Sequence, residues 1–392
     1  MQTYDIIIVG GGVMGSAIAT YLLKSNLQLH ILVVEKDPTY TYSSTVLSDG
    51  NIRVQFNIKE NILMSLYGLE VLATFAEEMT TPAYTPNINF RQQGNLYIVD
   101  SEGEAFAKQG IALQQSLGGA VEWLEPGQIQ QHHPLFQSAN CVGATFGRRD
   151  GSMSPLDVLL AYRHKAIALG ATYLTAEVGQ LRHDHSQIIG IALTSGDILH
   201  APIVINAAGA WAGKLSQTAS VPLPVQPVKR QVYAVEVEGA SFNHILPMLL
   251  LPNGQYLFHE GGNIFTVGGQ TPHDPITYHD FSWSREVFET LLWEGFVEYL
   301  PAFDRLKITN GWAGLYEVNT LDHNAILGEH PLMRGLYLAN GFSGHGFQQC
   351  HAVGRYLSEL ILGQPPILDL SIFSPQRLID NKPVLENPKR II

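Results

Sequence analysis

Two short apolar runs near the N-terminus predict strands that are buried on both faces. The segments "YDIIIVG" and "LHILVVEK" are rich in β-branched residues, as are the interior strands of parallel sheets. Between them, residues 10–15 predict a tight turn and residues 16–23 a helix. The chain therefore opens with a strand, a glycine-rich turn, a helix and a second strand that ends at Glu35.

Further helix and strand signals extend this first lobe. Asn57 and Glu60 form a pair like a capping box, which predicts a helix start near Asn57. Ser154 followed by Pro155 predicts another helix, with Gly170 at its end. The stretches "ATYLT", "QIIGIALTSG" and "DILHAPIVINAAGA" then predict strands. The stretch "GLYLANGFSGHGFQQCHAVGRYLSELILG" predicts a last strand, a glycine-rich turn and a helix.

Antiparallel sheet dominates the remaining segments. From Pro222, "RQVYAVEVEG" predicts a strand and "ILPMLLLPNGQYLFHEGGNIFTVGGQ" a meander, in which Asn253-Gly254 is a strong hairpin signal. Helices are predicted near residues 102–117 and 283–298. We therefore predict an α/β fold with an α+β second lobe. Its first domain is discontinuous, over residues 1–82, 143–221 and 323–392, and its second domain takes residues 83–142 and 222–322.

Composition and charge narrow the possible partners. The chain has 392 residues, 45% of them hydrophobic and 15% charged, which is enough apolar material for a large core. The net charge is −12 and no run of Lys or Arg is longer than the two residues of Lys229-Arg230, which argues against binding of nucleic acid. No apolar stretch approaches the roughly 20 residues of a membrane span. Because the first strand begins so close to the N-terminus, we expect no leader peptide and a cytoplasmic location.

A dinucleotide fingerprint lies between the first two strands. Gly10, Gly12 and Gly15 form G-x-G-x-x-G, and the acidic Glu35 follows about 20 residues later. The first glycine permits a tight turn, the second lets backbone N–H groups approach a diphosphate, and the third allows close helix packing. Glu35 is placed to accept hydrogen bonds from the adenosine ribose hydroxyls. The pattern alone does not distinguish NAD from FAD.

Two later segments favour FAD. In "INAAGAWAG", Gly209 and Ala210 follow a buried strand and allow a second close backbone approach along a long cofactor. The segment "GFSGHGFQQ" begins the last helix with a glycine-rich turn. Its N–H groups suit the flavin pyrimidine carbonyl, where negative charge accumulates on reduction. The first domain is therefore predicted to be a Rossmann-like FAD-binding domain.

Together these segments resemble the D-amino-acid-oxidase-like family of FAD oxidoreductases, which includes sarcosine and glycine oxidases and dye-linked proline dehydrogenase. The resemblance runs nearly end to end and includes Ser43-Ser44, "DGNIR", "VKRQVYAV" and "WAGLYEVNTLDHNAILGEHP". Within the family, the pattern is also similar to a mitochondrial branch linked to assembly of respiratory complex I. The resemblance implies that the flavin lies between the two domains and that the antiparallel sheet covers the substrate.

Specific FAD contacts follow from the resemblance. Gly15 belongs to the same glycine motif, and Gly314 stands where some relatives carry a flavin-linked cysteine. Others attach the flavin to a histidine after the second strand, and residues 40–50 contain none, so the resemblance implies non-covalent FAD. The implied contacts are Gly10, Gly12, Val13, Met14, Glu35, Lys36, Ser43, Ser44, Arg53, Val178, Ala208, Gly209, Gly344, His345, Gly346, Phe347 and Gln348.

Other departures from the family bear on the electron acceptor and the substrate. Thr266 matches the lysine that promotes reaction with oxygen in sarcosine-oxidase-like members, so we expect a dehydrogenase that passes electrons to a carrier. Phe56 and Gln348 match the arginine and lysine that clamp a small carboxylate in those oxidases. The substrate is therefore bulkier or is clamped by a different cation.

The expected chemistry is hydride transfer to flavin N5 from the carbon next to nitrogen in a small secondary amine or amino acid. A desolvated pocket that lowers the pKa of the substrate amine suffices, without an obligatory side-chain base. His259 is equally compatible with a core histidine, and Lys229 with a solvated strand start. The candidate catalytic or pocket residues are Tyr256, His259, Tyr316, Gln348 and Arg53, and the candidate partners of a substrate carboxylate are Lys229, Arg230 and Arg53.

Three functions remain open at this point. The first is an amine or amino-acid dehydrogenase with a small-molecule substrate and a carrier protein or quinone as electron acceptor. The second is an oxidase that reduces oxygen to hydrogen peroxide. The third, implied by the mitochondrial branch, is a respiratory-complex assembly factor with structural FAD. No metal site is expected, because the histidines at 132–133 and 183–185 lie in turn-like segments without a second cluster.

Overall fold

The computed structural model describes residues 3–137 and 139–386. Its helices are α1 (Val13–Ser25), α2 (Lys59–Met79), α3 (Glu104–Ser116), α4 (Pro126–His132), α5 (Pro155–Ala168), α6 (Ala212–Gln217), α7 (Arg285–Val287), α8 (Trp293–Tyr299), α9 (Gly346–Ile361) and α10 (Gln376–Ile379). A π-helical turn, Phe288–Leu292, joins α7 to α8, and short 3₁₀ turns cover Gly209–Trp211, Pro301–Arg305 and Ser371–Phe373.

The strands divide between one mainly parallel sheet and one mainly antiparallel sheet, with two smaller sheets beside them. They are β1 (Ile6–Val9), β2 (Ile31–Glu35), β3 (Asn51–Ile52), β4 (Asn95–Val99), β5 (Val121–Leu124), β6 (Gly143–Gly147), β7 (Gly151–Ser152), β8 (Thr172–Thr175), β9 (Val178–Asp184), β10 (Gln187–Leu193), β11 (Ile198–His200), β12 (Ile203–Asn206), β13 (Val225–Val237), β14 (Met248–Leu250), β15 (Tyr256–Gly261), β16 (Ile264–Gly268), β17 (Leu306–Asn319), β18 (Ile326–Glu329) and β19 (Leu336–Asn340).

The parallel sheet carries the first sequence motif. Its strand order is β18-β19-β12-β1-β2-β8, with β1 parallel to both β2 and β12. Every residue of β1 is buried, because helices or sheet cover both faces of such a strand. The carboxyl ends of β1, β2 and β12 therefore meet at one edge, which is where ligands bind in open α/β sheets. The predicted α/β architecture is confirmed.

The antiparallel sheet forms the second layer of the molecule. Its order is β17-β13-β16-β15-β14-β4-β6-β5, and the long strands β13 and β17 pair along almost their whole length. The sequence predicts that the chain returns to the first domain at residue 143, but the structure places one more strand of the antiparallel sheet after that point. Residues 143–147 form β6, which pairs with β4 and β5 in the antiparallel sheet. Gly143 packs beneath the Trp123 ring, where a Cβ would lie 2.2 Å from a ring carbon.

One other local prediction differs from the structure because of a long-range contact, whereas the segments predicted as strands after residue 170 do form strands. Of these, β8 and β12 belong to the parallel sheet, and β10 and β11 form a separate antiparallel sheet with β9. Helix α2 begins at Lys59, without a side-chain cap from Asn57. The backbone N–H groups of Asn57 and Ile58 donate instead to the two carboxylate oxygens of Glu386, at 2.9 and 3.1 Å. That cap comes from the other end of the chain, so no local pattern indicates it.

The helices are of the lengths found in globular domains. Over the two described ranges, 3–137 and 139–386, no helix combines the length and the apolar character that a bilayer crossing requires.

Candidate active site

A cavity of about 1130 Å³ lies between the parallel and antiparallel sheets. It exceeds the roughly 300–1,000 Å³ of a typical small-ligand pocket. Its lining begins at the turn after β1 and includes the segments that follow β2 and β12. Strands β13, β15 and β17 and the glycine-rich turn before α9 complete it. The cavity has room for a large cofactor together with a second, smaller molecule.

The turn after β1 is shaped to receive an anion. Gly10 has a φ of 103°, a conformation that strains other residues, and a Cβ there would lie 2.3 Å from the Ala207 carbonyl oxygen. Gly12 is the N-cap of α1 and makes no side-chain capping bond. The Val13 N–H donates to Thr45 Oγ1 at 3.3 Å, and the other N–H groups of the first turn suit an anionic ligand. Gly15 does not line the cavity, but its Cβ would lie 1.9 Å from the Gly10 carbonyl oxygen. The third glycine therefore allows close packing, as predicted.

Glu35 is fixed at the edge of the cavity. Its Oε2 accepts a hydrogen bond from the Gly11 N–H at 2.8 Å, and its Oε1 accepts one from the Asp37 N–H at 2.9 Å. These two bonds hold the carboxylate at the end of β2, with lone pairs left for a ligand. A vicinal diol such as that of a ribose fits these acceptors, so the residues at this end suit a dinucleotide.

A cation and an aromatic ring flank the same end of the cavity. Lys36 Nζ lies 3.2 Å from the centre of the Trp211 ring, within the range of a cation–π contact. Burial lowers the pKa of Lys36 from its usual value of 10.5. Val178, at the start of β9, lies on the wall nearby, together with Thr194 and Thr218.

The glycine-rich turn before α9 closes another part of the cavity and is tied to β3. Arg53 Nη2 donates to His345 Nε2 at 2.8 Å, and Gln348 Oε1 accepts the Arg53 backbone N–H at 2.8 Å. Arg53 Nη1 donates to the Tyr97 hydroxyl at 2.8 Å. Burial and the neighbouring Arg53 charge hold the pKa of His345 well below 6.5. His345 is therefore neutral, and Arg53 has partners of its own besides any substrate carboxylate.

The structure brings the predicted cofactor residues together from distant parts of the chain. Apart from Gly15, all of them line the single cavity described above. They are Gly10, Gly12, Val13, Met14, Glu35, Lys36, Ser43, Ser44, Arg53, Val178, Ala208, Gly209, Gly344, His345, Gly346, Phe347 and Gln348.

Three of the predicted substrate residues meet under the antiparallel sheet. Tyr256, Tyr316 and Arg230 line the cavity from β15, β17 and β13. The Arg230 guanidinium carbon lies 5.6 Å from the centre of the Tyr316 ring, and Arg230 Nη1 pairs with Asp274. Burial raises the pKa of both tyrosines above the usual value of 10. The tyrosines therefore remain neutral at physiological pH.

Two other candidates lie away from the cavity. His259 is only 2% exposed: its Nδ1 accepts from the Leu246 N–H at 3.0 Å, and its Nε2 donates to the Gly262 carbonyl at 3.1 Å. Both ring nitrogens are thus used by the backbone, and His259 is a core histidine. Lys229 Nζ is bound to Asp280 at 2.5 Å and to the Ser282 carbonyl at 3.1 Å, so it is not placed as a substrate clamp.

Two partly buried acids on the cavity wall escaped the sequence-based prediction. Asp49 directly precedes Gly50 within the quoted "DGNIR" segment, and Glu317 directly follows Tyr316. Burial raises the pKa of Asp49 to about 7, opposed in part by a hydrogen bond with Tyr256. Burial raises the pKa of Glu317 to about 8, opposed by the Gly341 N–H bond at 3.2 Å. In the sequence, the only feature that points to Asp49 and Glu317 is that both lie within segments that resemble the family.

Within residues 3–137 and 139–386, no group of three His, Cys, Asp or Glu side chains is arranged to hold a metal ion. The cavity offers backbone N–H groups at the start of α1, the Glu35 carboxylate, and Tyr256, Tyr316 and Arg230 beneath the antiparallel sheet.

Comparison with known proteins shows which proteins have a similar sequence and a similar fold. A family model described as FAD dependent oxidoreductase matches residues 5–360. The chain is 34% identical to FAD-dependent oxidoreductase domain-containing protein 1 of Xenopus laevis, over 97% of this chain and 84% of that protein. It is 27% identical to glycine oxidase of Geobacillus kaustophilus, over 96% of this chain and 97% of that one. The crystal structure of L-proline dehydrogenase from P. horikoshii is similar, with 26% identity, a TM-score of 0.86 and coverage of 98% and 100%.

Proposed function

This chain belongs to the family of FAD-dependent oxidoreductases, and from that premise we propose that it oxidises the C–N bond of a small amine or amino acid. The observation that carries the proposal is a single cavity with a dinucleotide site at one end and Tyr256, Tyr316 and Arg230 at the other. The similarity to a glycine oxidase and to an L-proline dehydrogenase supports the substrate class.

The chain's own residues suit the cofactor in both its halves. The N-terminus of α1 at Gly12 would bind the diphosphate, and Glu35 the adenosine ribose. The glycine-rich turn, with His345 and Gln348, would bind the isoalloxazine ring through backbone N–H groups and neutral side chains. When bound, FAD supplies an acceptor for a hydride at its N5 atom.

The chamber beneath the antiparallel sheet would prepare the substrate. Tyr256 is 5% exposed and, with Tyr316, forms a wall that excludes bulk water. Low dielectric disfavours a charged ammonium and lowers its pKa, so the substrate nitrogen reaches its neutral form near physiological pH. Arg230 would bind a substrate carboxylate, because burial lowers its pKa from 12.5 but leaves a guanidinium charged.

The electron acceptor is proposed to be a carrier and not oxygen. Thr266 stands where sarcosine-oxidase-like relatives have a lysine that promotes reaction with oxygen. Thr266 is 7% exposed and pairs in register with Phe258 and Ala234. A neutral hydroxyl at this position supplies no cation to stabilise superoxide.

One experiment separates dehydrogenase from oxidase and tests the substrate class. Purified holoenzyme is mixed without oxygen with glycine, N-methylglycine, L-proline and pyrrolidine, and the visible absorbance of oxidised flavin is followed. We expect bleaching by at least one of them, slow recovery in air and fast recovery with a quinone or dye. Fast recovery in air with stoichiometric hydrogen peroxide would identify an oxidase, and no bleaching by any amine would refute the proposal.

FAD is expected to be held without a covalent bond. Gly314 occupies the position of the flavin-linked cysteine, and a Cβ there would lie only 3.2 Å from the Leu47 Cβ, so a cysteine would be crowded. Precipitation of the yellow protein with acid should therefore leave the flavin in the supernatant and a colourless pellet. Yellow colour that stays with the pellet would contradict this prediction.

A further inference from the structure

Asp49 lines the cavity beside Tyr256 and Tyr316 and, like Glu317 on the same wall, forms no ion pair within the described part of the chain. Asp274 and Asp280 each have a cation, Arg230 and Lys229 respectively. A carboxylate enclosed without a cation is costly. We therefore expect the ligand to carry a positively charged group that pairs with Asp49.

The groups that face Asp49 come from neighbouring strands and are neutral or acidic. Tyr256, on β15, lowers the pKa of Asp49 through hydrogen bonding, and the negative charge of Glu260 on the same strand raises that pKa. Tyr316, on β17, interacts electrostatically with the same carboxylate. Arg230, on β13, acts on the two tyrosines and is already paired with Asp274. The chamber thus has an acidic side at Asp49 and a basic side at Arg230.

Arg230 retains binding capacity on its side of the chamber. Its Nη1 is used by Asp274, and among the described residues none accepts a hydrogen bond from its Nε. A buried N–H without an acceptor is costly. A carboxylate brought by the substrate would satisfy it.

We propose that Asp49 and Arg230 are the two poles of a binding site for a zwitterionic amino acid, with Asp49 binding the amino group and Arg230 the carboxylate. This inference rests on the proposed function and narrows it, because a simple amine would leave Arg230 unsatisfied and a simple carboxylic acid would leave Asp49 unsatisfied. Tyr256 and Tyr316 line the same cavity, and each interacts electrostatically with both Asp49 and Arg230.

Asp49 also offers an acceptor for the proton that the substrate nitrogen must lose before oxidation. An amino acid arrives as an ammonium, and the nitrogen must be neutral before the neighbouring C–H bond is oxidised. One proton moves from the substrate nitrogen to an Asp49 carboxylate oxygen, and no electrons are transferred in this step. The pKa of Asp49, raised by burial to about 7, makes this carboxylate a suitable acceptor.

The test uses ligand pairs that differ only in the amino group. L-Proline is compared with tetrahydrofuran-2-carboxylate, and N-methylglycine with methoxyacetate. Binding is measured without oxygen from the flavin absorbance of wild-type holoenzyme, Asp49→Asn and the control Glu260→Gln. Glu260 is a nearby acid with 38% side-chain exposure, paired with Arg91 outside the cavity.

Asp49→Asn should raise the dissociation constants of the two amino acids about 30-fold or more. The dissociation constants of the two oxygen analogues should rise less than about threefold, because only the amino group contacts Asp49. Glu260→Gln should change the dissociation constants of the amino acids and of the oxygen analogues by no more than about threefold. Equal weakening of both sets by Asp49→Asn, or no weakening of either, would overturn the inference and leave the proposed function standing. If none of the four ligands perturbs or reduces the wild-type flavin, the proposed function falls and this inference with it.

The pH dependence gives an independent readout. The ammonium of a ligand pairs with Asp49 only when that carboxylate is ionised, so wild-type affinity for the amino acids should rise with pH up to about pH 7 and then level off. The slope should be absent for the oxygen analogues and in Asp49→Asn. A slope that persists in Asp49→Asn would assign the titration to another group and contradict the proposal.

Discussion

Replacement of Gly12 by valine is expected to give folded protein without FAD. A Cβ at Gly12 would meet only ordinary contacts, at 3.4 Å from Thr45 Oγ1 and 3.9 Å from Ser43 Oγ, and its φ of −62° suits any residue. The fold therefore tolerates the side chain, but its methyl groups fill the space in front of the α1 N-terminus, where we propose that the diphosphate binds. We expect the dissociation constant of FAD to rise at least about 100-fold, or about 2.7 kcal/mol.

A matched control is available at another helix N-terminus. Gly127, in the first turn of α4, lies outside the cavity and has no atom within 4 Å of its added Cβ. Gly127→Val should keep its full yellow colour, with about one FAD molecule bound per protein chain. Absorbance of the purified proteins and their far-ultraviolet circular dichroism decide the outcome. Colour retained by Gly12→Val at the wild-type level would show that the diphosphate lies elsewhere.

Loss of Arg230 is expected to produce the largest change in substrate use. Arg230→Gln removes the cation that faces the cavity beside Tyr316, and loss of one partner of a desolvated charge pair costs about 2–5 kcal/mol. For an amino-acid substrate, kcat/KM should fall about 100-fold or more. For pyrrolidine, which has no carboxylate, it should change little. Stopped-flow measurement of flavin reduction separates the binding constant from the reduction rate.

The neighbouring residue provides the control for Arg230. Lys229 is also a largely buried cation paired with an aspartate from the segment 271–284, but it is bound to Asp280 and does not line the cavity. Lys229→Gln should keep kcat/KM for the amino acid within about threefold of wild type. An equal loss in both variants would mean that the ion pairs act through the fold and not through the substrate.

The sequence predicted which residues line the proposed cofactor end of the cavity, because that end is built from local patterns. The turn at Gly10, the helix after Gly12 and the acid at Glu35 are contiguous in one strand-helix-strand unit, and their spacing is set by backbone geometry. The segments around Gly209 and Gly344 are equally compact. The parallel sheet then brings all of them to one edge, which explains why nearly all of the predicted contacts line one cavity.

The substrate half depends on contacts between distant segments, which no periodicity reveals. His259 and Tyr256 lie three residues apart on β15, so the alternation of side chains places them on opposite faces of the sheet, and Tyr256 is the one that lines the cavity. Lys229 and Arg230 are adjacent and point to opposite sides of β13. Asp49 acquires its role only when β15 and β17 close over it. The order of residues along the chain does not contain these distances.

The central claim is that the glycine turns after β1, after β12 and before α9 surround one FAD molecule. A crystal structure of the yellow holoenzyme tests it most directly. We predict electron density for the diphosphate at the N-terminus of α1 and for the isoalloxazine ring between Tyr316 and the turn at Gly344. Flavin density outside this cavity, or a cavity without flavin in yellow crystals, would contradict the account.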